Sequence, residues 1–186
     1  DRTSVTYSAG ARVRSITTPL SNITTYSFGL TQQILDPRNQ ETKILFDADR
    51  NIKAIVNPLG QRTTWIWNGG YVKTHIDADG RRTTFSYATL GNRTTGLSSF
   101  VNPLGQRSTI LYDASGRLAA TVSPMGRRST WVWDASGQRI AVIDALGKRT
   151  TSVYNANGQV SAAVSPTGVR QTFLYNGQGT LIAELN

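Results

Sequence analysis

The chain of 186 residues has no cysteine, one histidine and one methionine. Without cysteine there is no disulfide, no thiolate metal site and no cysteine nucleophile, and the compartment stays open. The lone imidazole, His75, has no partner in any recognisable catalytic or metal motif, so a structural role is expected for it. Acid is scarce: 11 carboxylates face 20 basic residues, giving a net charge of +9. No apolar run is long enough for a membrane helix, and no signal peptide is present. No stretch of ten or more residues combines helical periodicity with a capping signal. A nucleotide-binding glycine loop between a strand and a helix is also missing.

What is present is repetition, which decides the fold before any other feature. Asn102–Val164 reads NPLGQRSTILYDASGRLAATV, SPMGRRSTWVWDASGQRIAVI, DALGKRTTSVYNANGQVSAAV, three copies of one unit with a period of 21 residues. Each unit holds two turns. One is Pro-x-Gly, at Pro103–Gly105, Pro124–Gly126 and Pro166–Gly168, preceded by Asn or Ser. Proline pre-sets φ, the short polar residue bonds the turn backbone, and glycine accepts a positive φ. The other is Asp-Ala-Ser-Gly at Asp113–Gly116 and Asp134–Gly137, with Asn155–Gly158 and Asn176–Gly179 as variants. Asx at the start and Gly at the end suit a hairpin loop of about three to five residues.

Between the turns lie runs of about six residues with period-two patterning, rich in Thr, Val, Ile and aromatics, which is strand chemistry. One face of the strand after Pro-x-Gly carries Thr63, Trp65 and Trp67; the other carries Arg62, Thr64 and Ile66. In the strand after the Asp turn, Leu118, Ala120 and Val122 share a face, as do Val160, Ala162 and Val164. Turns this short force antiparallel neighbours. The fold class is therefore all-β: tandem hairpins of about 21 residues in a continuous antiparallel meander, roughly sixteen to eighteen strands in all. An open twisted sheet rarely passes about ten strands without curling or splitting. With apolar side chains on both faces, the meander is expected to curl into a shell, stack as a solenoid, or be covered by further copies.

The regular copies occupy 36–186, and 1–35 holds degenerate ones, together one continuous repeat domain. Both ends read as interrupted repeats, so the sequence is expected to be a segment of a longer protein. In the copy from Asp36, Asn39 replaces Gly, and Glu41 replaces the basic residue and is expected to pair with Arg62 or another arginine of that row. Gly69-Gly70 shortens one turn. Extra residues around Ala88–Ser99 mark a bulge, an exposed loop or a contact site. Asn22 and Asn92 begin Asn-x-Thr sequons, meaningful only in a glycosylating host. Asp77, Asp79 and Gly80 faintly resemble a calcium loop, but the ligand series that follows is missing.

Sixteen of the basic residues are arginines, many at one repeat position: Arg62, Arg107, Arg128 and Arg170. The excess suits an acidic glycan or another anionic surface. Nucleic acid is not expected, because no basic run exceeds two residues and no binding signature occurs. The indoles Trp65, Trp67, Trp131 and Trp133 are the candidate surface contacts. They occupy positions filled in other copies by Phe85, Tyr87, Ile110 and Tyr112, which favours a structural aromatic ladder over a sugar-stacking platform. No catalytic residue, metal ligand or cofactor site is expected.

The unit Pro-x-Gly-x-Arg-Thr-Thr-x-x-Tyr-Asp-x-x-Gly resembles the RHS or YD repeat, most securely over 36–185. The Tyr-Asp pair stands as Tyr112-Asp113, with Phe46-Asp47, Trp67-Asn68, Trp133-Asp134 and Tyr154-Asn155 as variants. Bacterial Rhs proteins, the C component of insecticidal toxin complexes and animal teneurins carry such repeats. The resemblance implies a β-sheet ribbon spiralling into a shell, which in the toxin members holds a toxic domain. The self-cleaving aspartyl protease motif of many bacterial members has no match here, so that activity is not carried over. The resulting expectation is a non-enzymatic shell or scaffold segment of a secreted or cell-surface protein, with a bacterial origin favoured. Its partners are further repeats of the same parent, further copies of itself, an enclosed toxin domain or an acidic glycan. A self-assembling filament or adhesin and a carbohydrate-binding module are the competing readings.

Overall fold

The computed structural model describes residues 2–9, 12–91 and 94–186. Their regular structure is strand, in eighteen segments, each antiparallel to the next wherever the pairing is defined. The chain divides into two compact units, one of residues 1–85 with 102–104, the other of residues 86–101 with 105–186.

The first unit contains β1 (Ser4–Tyr7), β2 (Val13–Thr17), β3 (Ile23–Ser27), β4 (Thr31–Leu35), β5 (Glu41–Phe46), β6 (Ile52–Val56), β7 (Arg62–Asn68), β8 (Tyr71–Ile76) and the start of β9 (Arg82–Thr89). Even the degenerate copies fold as strands, because turns survive where glycine does not: Ser21, Asn39 and Arg50 take its place with φ of 61°, 60° and 68°. A left-handed conformation costs a non-glycine residue about 1 kcal/mol. Gly69 and Gly70, at φ 57° and 83°, make the two-residue primed turn that joins Asn68 to Tyr71.

The second unit contains β10 (Thr95–Val101), β11 (Arg107–Tyr112), β12 (Leu118–Val122), β13 (Arg128–Trp133), β14 (Arg139–Ile143), β15 (Arg149–Tyr154), β16 (Val160–Val164), β17 (Arg170–Tyr175) and β18 (Leu181–Leu185). Its register repeats without drift. Ala120 faces Thr130, Ala141 faces Thr151 and Ala162 faces Thr172. The faces expected from the period-two pattern are therefore the faces observed.

The two turns of the repeat share one hydrogen-bond pattern. In the Asp turn, Gly116 N–H donates to Asp113 O at 2.9 Å, and Asp113 Oδ1 accepts the amides of Ser115 and Arg117, both at 2.9 Å. In the Pro-x-Gly turn, Gly60 N–H donates to Asn57 O at 2.9 Å, and Asn57 Oδ1 accepts Leu59 and Gln61, both at 3.0 Å. Each side-chain oxygen thus holds two amides the strands cannot use. The glycines sit at φ 80° (Gly116) and 78° (Gly60), where a Cβ is strained.

Among the described residues, neither unit hides a large apolar side chain. The fully buried apolar residues are Ala54 in the first and Ala120, Ala141 and Ala162 in the second. Each sits mid-strand, where taller neighbours close over a small side chain. Thr74 and Ser99 fill the same position in β8 and β10 and are equally buried. Their hydroxyls are satisfied by the row arginines of the following strand: Arg82 Nη2 reaches Thr74 Oγ1 at 3.3 Å, and Arg107 Nη2 reaches Ser99 Oγ at 2.7 Å. Leu111, Val153, Leu174 and Leu181, on the face of the buried alanines, remain about 40% exposed.

Two expectations change on inspection. Glu41 pairs with Lys43, two residues along its own strand at 2.9 Å, rather than with Arg62. Residues i and i+2 share a strand face, so the nearest cation wins. The extra residues around 88–99 mostly lengthen strands, since β9 runs to Thr89 and β10 begins at Thr95. The sequon at Asn92 lies outside the described residues; Asn22 is exposed.

Candidate functional site

The four tryptophans divide into two roles. Trp67 is the penultimate residue of its strand and Trp133 the last of its own, each just after a register shift, between Ile66 and Trp67 and between Val132 and Trp133. The shift is in the pairing with the following strand, while on its other side the ring reaches a backbone carbonyl near the start of the preceding even strand. Trp67 Nε1–H donates to Ile52 O at 2.8 Å, and Trp133 Nε1–H to Leu118 O at 2.7 Å. Tyrosines do the same: Tyr112 to Leu97 O at 3.0 Å, Tyr154 to Arg139 O at 3.0 Å and Tyr175 to Val160 O at 2.8 Å. The acceptor is always 15 residues back. The repeat therefore needs, at this position, a flat side chain with a donor at its tip. Phe46 has no donor, and in that copy its backbone N–H bonds Leu30 O at 2.7 Å.

Trp65 and Trp131 lie mid-strand and half-buried. Trp65 packs against His75, its register partner, with ring centroids 5.4 Å apart and planes tilted by 43°. Trp131 faces Val142. The aromatic positions thus comprise hydrogen-bonded latches near strand ends and mixed pairs mid-strand. The pattern carries a trace of the latch: apart from Phe46, the positions named near strand ends hold Trp or Tyr, while the mid-strand position also accepts Ile110 and Ser152.

At the Asp-turn edge of the second unit, Arg117 joins two consecutive repeats. Its Nε donates to Asp113 Oδ2 at 2.7 Å, its Nη1 donates to Asp134 O at 3.1 Å, and its guanidinium lies 5.5 Å from the Trp133 ring centroid. The guanidinium plane suits all three contacts at once. Gln159 spans the turns in another copy, Nε2 donating to Gly179 O at 2.8 Å. In the first unit Arg81 gathers both Asp77 (2.7 Å) and Asp79 (2.9 Å), which accounts for the two carboxylates that resembled a calcium loop.

These contacts hold the turn carboxylates below their usual range. For Asp113 the largest cause is the Arg117 amide, opposed by desolvation and reinforced by the Arg117 side chain. For Asp77 it is the Arg81 side chain. A folded pKa below the ordinary 3.8 means the contribution to stability is in place above that value and is lost as pH falls through the lowered one. Melting temperature should be flat from neutrality to about pH 5 and then fall. Asp113→Asn should show a shallower fall, because the charge that titrates is gone; melts followed by circular dichroism check this, and an unchanged slope contradicts it.

Open troughs lie over each unit. One of about 670 Å³ in the first is lined by Thr6, Arg14, Thr25, Tyr26 and Glu41 among others. One of about 420 Å³ in the second is lined by Phe100, Ile110, Thr121 and Arg127 among others. Neither is lined by a tryptophan. Among the described residues, no three of His, Cys, Asp and Glu gather to hold a metal ion.

The recurring element is a latched hairpin, and the protein is a tandem-hairpin β-sheet protein. The RHS repeat family model matches residues 112–150, and the same turns and latch recur before and after it. Residues 112–150 are thus similar to the RHS repeat. No curated protein matches the sequence. Among solved structures, the TcdB2-TccC3 complex without its hypervariable C-terminal region is similar at a TM-score of 0.68 and 14% identity, covering 99% of this chain and 12% of that one. The TcdB2-TccC3-Cdc42 structure is similar at 0.56 and 12% identity, covering 98% of this chain and 14% of that one. At such identities the likeness is one of fold. The chain spans about an eighth of the length of the chains it matches.

Proposed function

We propose that this chain is a wall segment of a β-sheet shell, a non-enzymatic scaffold of a secreted or cell-surface RHS-repeat protein, continuous from 36 to 186 with worn copies at 1–35. One observation carries the reading: among the described residues no large apolar side chain is buried in either unit, and the apolar residues of both sheet faces stay in partial contact with water. Apolar side chains left partly wet on both faces suit a sheet that further elements cover. Further repeats of a parent chain, or an enclosed domain, would cover it. Trp65 and Trp131, free of the latch role, would supply contact surface on their face. The family resemblance supports the extracellular setting.

A filament is the second reading. It is favoured by β18, which among the described residues pairs with β17 alone and is almost wholly exposed. An unpaired edge strand templates pairing with another chain.

Light scattering and negative-stain electron microscopy of the purified chain separate these readings. The shell reading expects curved sheet fragments that close around a lumen when flanking repeats are added. Fibres growing with concentration favour the filament. A compact monomer with dry, covered faces overturns both.

A further inference from the structure

Going beyond the scaffold reading, we propose that the Pro-x-Gly edge of the second unit docks on an anionic lipid surface. Two independent features meet at this edge. The first is charge. Arg107, Arg128, Arg149 and Arg170 each begin an odd-numbered strand, share one face and are exposed. One strand intervenes between successive members, so they recur about every 9.6 Å. Arg128 and Arg149 lie along the face, with Nε donating to Thr130 and Thr151 at 3.3 and 3.4 Å. Arg127 and Lys148 stand next to them and are exposed. Among the described residues none of these six cations is in an ion pair. The carboxylate in the turns of this edge is Asp144, whose Oδ1 accepts the amides of Leu146 and Lys148. Asp113 and Asp134 lie at the opposite edge.

The second feature is apolar. Met125, Leu146 and Val169, in the turns that lead into these cations, are 78%, 72% and 62% exposed. The turn geometry does not require them, since it is made by backbone atoms and the Asx or Ser side chain. Cations beside protruding aliphatic tips form the paired signal that a lipid surface rewards: attraction to anionic headgroups together with shallow insertion. A glycan or single-stranded nucleic acid would instead use aromatic platforms. In this unit the strand-end aromatics Tyr112, Trp133, Tyr154 and Tyr175 sit at the far ends of the same strands and are committed to latches.

The test is sedimentation of the whole chain with phosphatidylcholine vesicles, with and without phosphatidylserine. Binding should require phosphatidylserine. Arg128→Gln/Arg149→Gln/Arg170→Gln should weaken it by about tenfold or more, whereas removing the same charge elsewhere, by Lys53→Gln/Lys73→Gln/Arg139→Gln, should cost less than about threefold. The corresponding Arg→Lys triple should bind as the natural chain does, because the attraction is one of charge. Met125→Ser/Leu146→Ser should remove the part of the binding that survives high salt, where charge is screened. Circular dichroism confirms that each variant is folded. Equal losses in the two neutralised triples, loss in the Arg→Lys triple, equal binding to pure phosphatidylcholine, or displacement by heparin or single-stranded DNA in preference to lipid would overturn the proposal. The wall-segment reading survives any of these results, since it is tested by assembly.

Discussion

Replacing Tyr112, Trp133, Tyr154 and Tyr175 together by phenylalanine should remove about 4 kcal/mol of stability, roughly 1 kcal/mol for each lost hydrogen bond. For a domain whose total is commonly about 5–15 kcal/mol, that is enough to shift the denaturant midpoint visibly or to unfold the second unit at ambient temperature. The argument rests on what phenylalanine keeps and what it loses. At the three tyrosines the ring stays, so most packing stays, whereas at Trp133 a phenyl replaces the larger indole. The donor goes, and the carbonyls of Leu97, Leu118, Arg139 and Val160 lose the partner that follows each register shift. Trp133→Phe should cost the most of the four, because Arg117 also rests on that indole at 5.5 Å. The single losses should nearly add, since successive latches are separated by a whole intervening strand. Tyr154→Trp, which swaps one donor for another, should stay within about 0.5 kcal/mol of the parent. Urea unfolding followed by tryptophan fluorescence and circular dichroism measures all of these. If the phenylalanine variants unfold at the parental midpoint, the side-chain bonds are incidental and the position selects for ring shape alone.

The repeat made most of the fold readable from sequence, and the reason is physical. A hairpin loop of this kind needs an Asx or Ser oxygen at its start and a positive φ near its end, so Asp113 to Gly116 or Asn57 to Gly60 announces both turn and register. Period-two patterning then assigns Arg128, Thr130 and Val132 to one face without knowledge of the neighbours. Even Pro19–Asn22, a turn without glycine, could be placed because the strands on either side kept their pattern; Ser21 supplies the φ. What stayed hidden depends on residues that meet only after the sheet has formed. The latch acceptor is a backbone carbonyl 15 residues away, and no side chain at Leu118 or Val160 marks it. Arg117 bonds Asp113, which a reader of the turn could guess, but its reach to Asp134 O needs the spacing of adjacent hairpins. Thr74 and Ser99 break the alanine row, and nothing local says that Arg82 and Arg107 compensate. Glu41 finds its cation two residues along its own strand, at Lys43, a proximity that the repeat pattern does not encode.

The same logic makes Gly91 the most sensitive glycine in the second unit, although its sequence context is an irregular insertion. A Cβ built there lies 1.6 Å from Ala114 O and 2.6 Å from Ala114 C, both backbone atoms of the Asp113 turn. Backbone cannot swing aside as a flexible side chain can, so the segment must lift off the turn. Gly96 lies close by the same group of contacts, a Cβ there meeting Leu90 Cδ1 at 3.0 Å and the Tyr112 ring at 3.2 Å. Gly91→Ala should therefore cost about 2–3 kcal/mol, the upper range for overpacking. In a chain of this length that is a fall in Tm of about 5–10 °C. Gly147→Ala is the discriminating control. Gly147 has φ 79° and open space around the added Cβ, so the substitution carries backbone strain without collision. It should cost only about 1 kcal/mol. Because the insertion packs beside Tyr112, Gly91→Ala should also weaken the latch to Leu97, and combining it with Tyr112→Phe should cost clearly less than the sum of the two. A Gly91→Ala chain no less stable than Gly147→Ala, or a strictly additive pair, would show that the insertion is not seated on the Asp113 turn in solution.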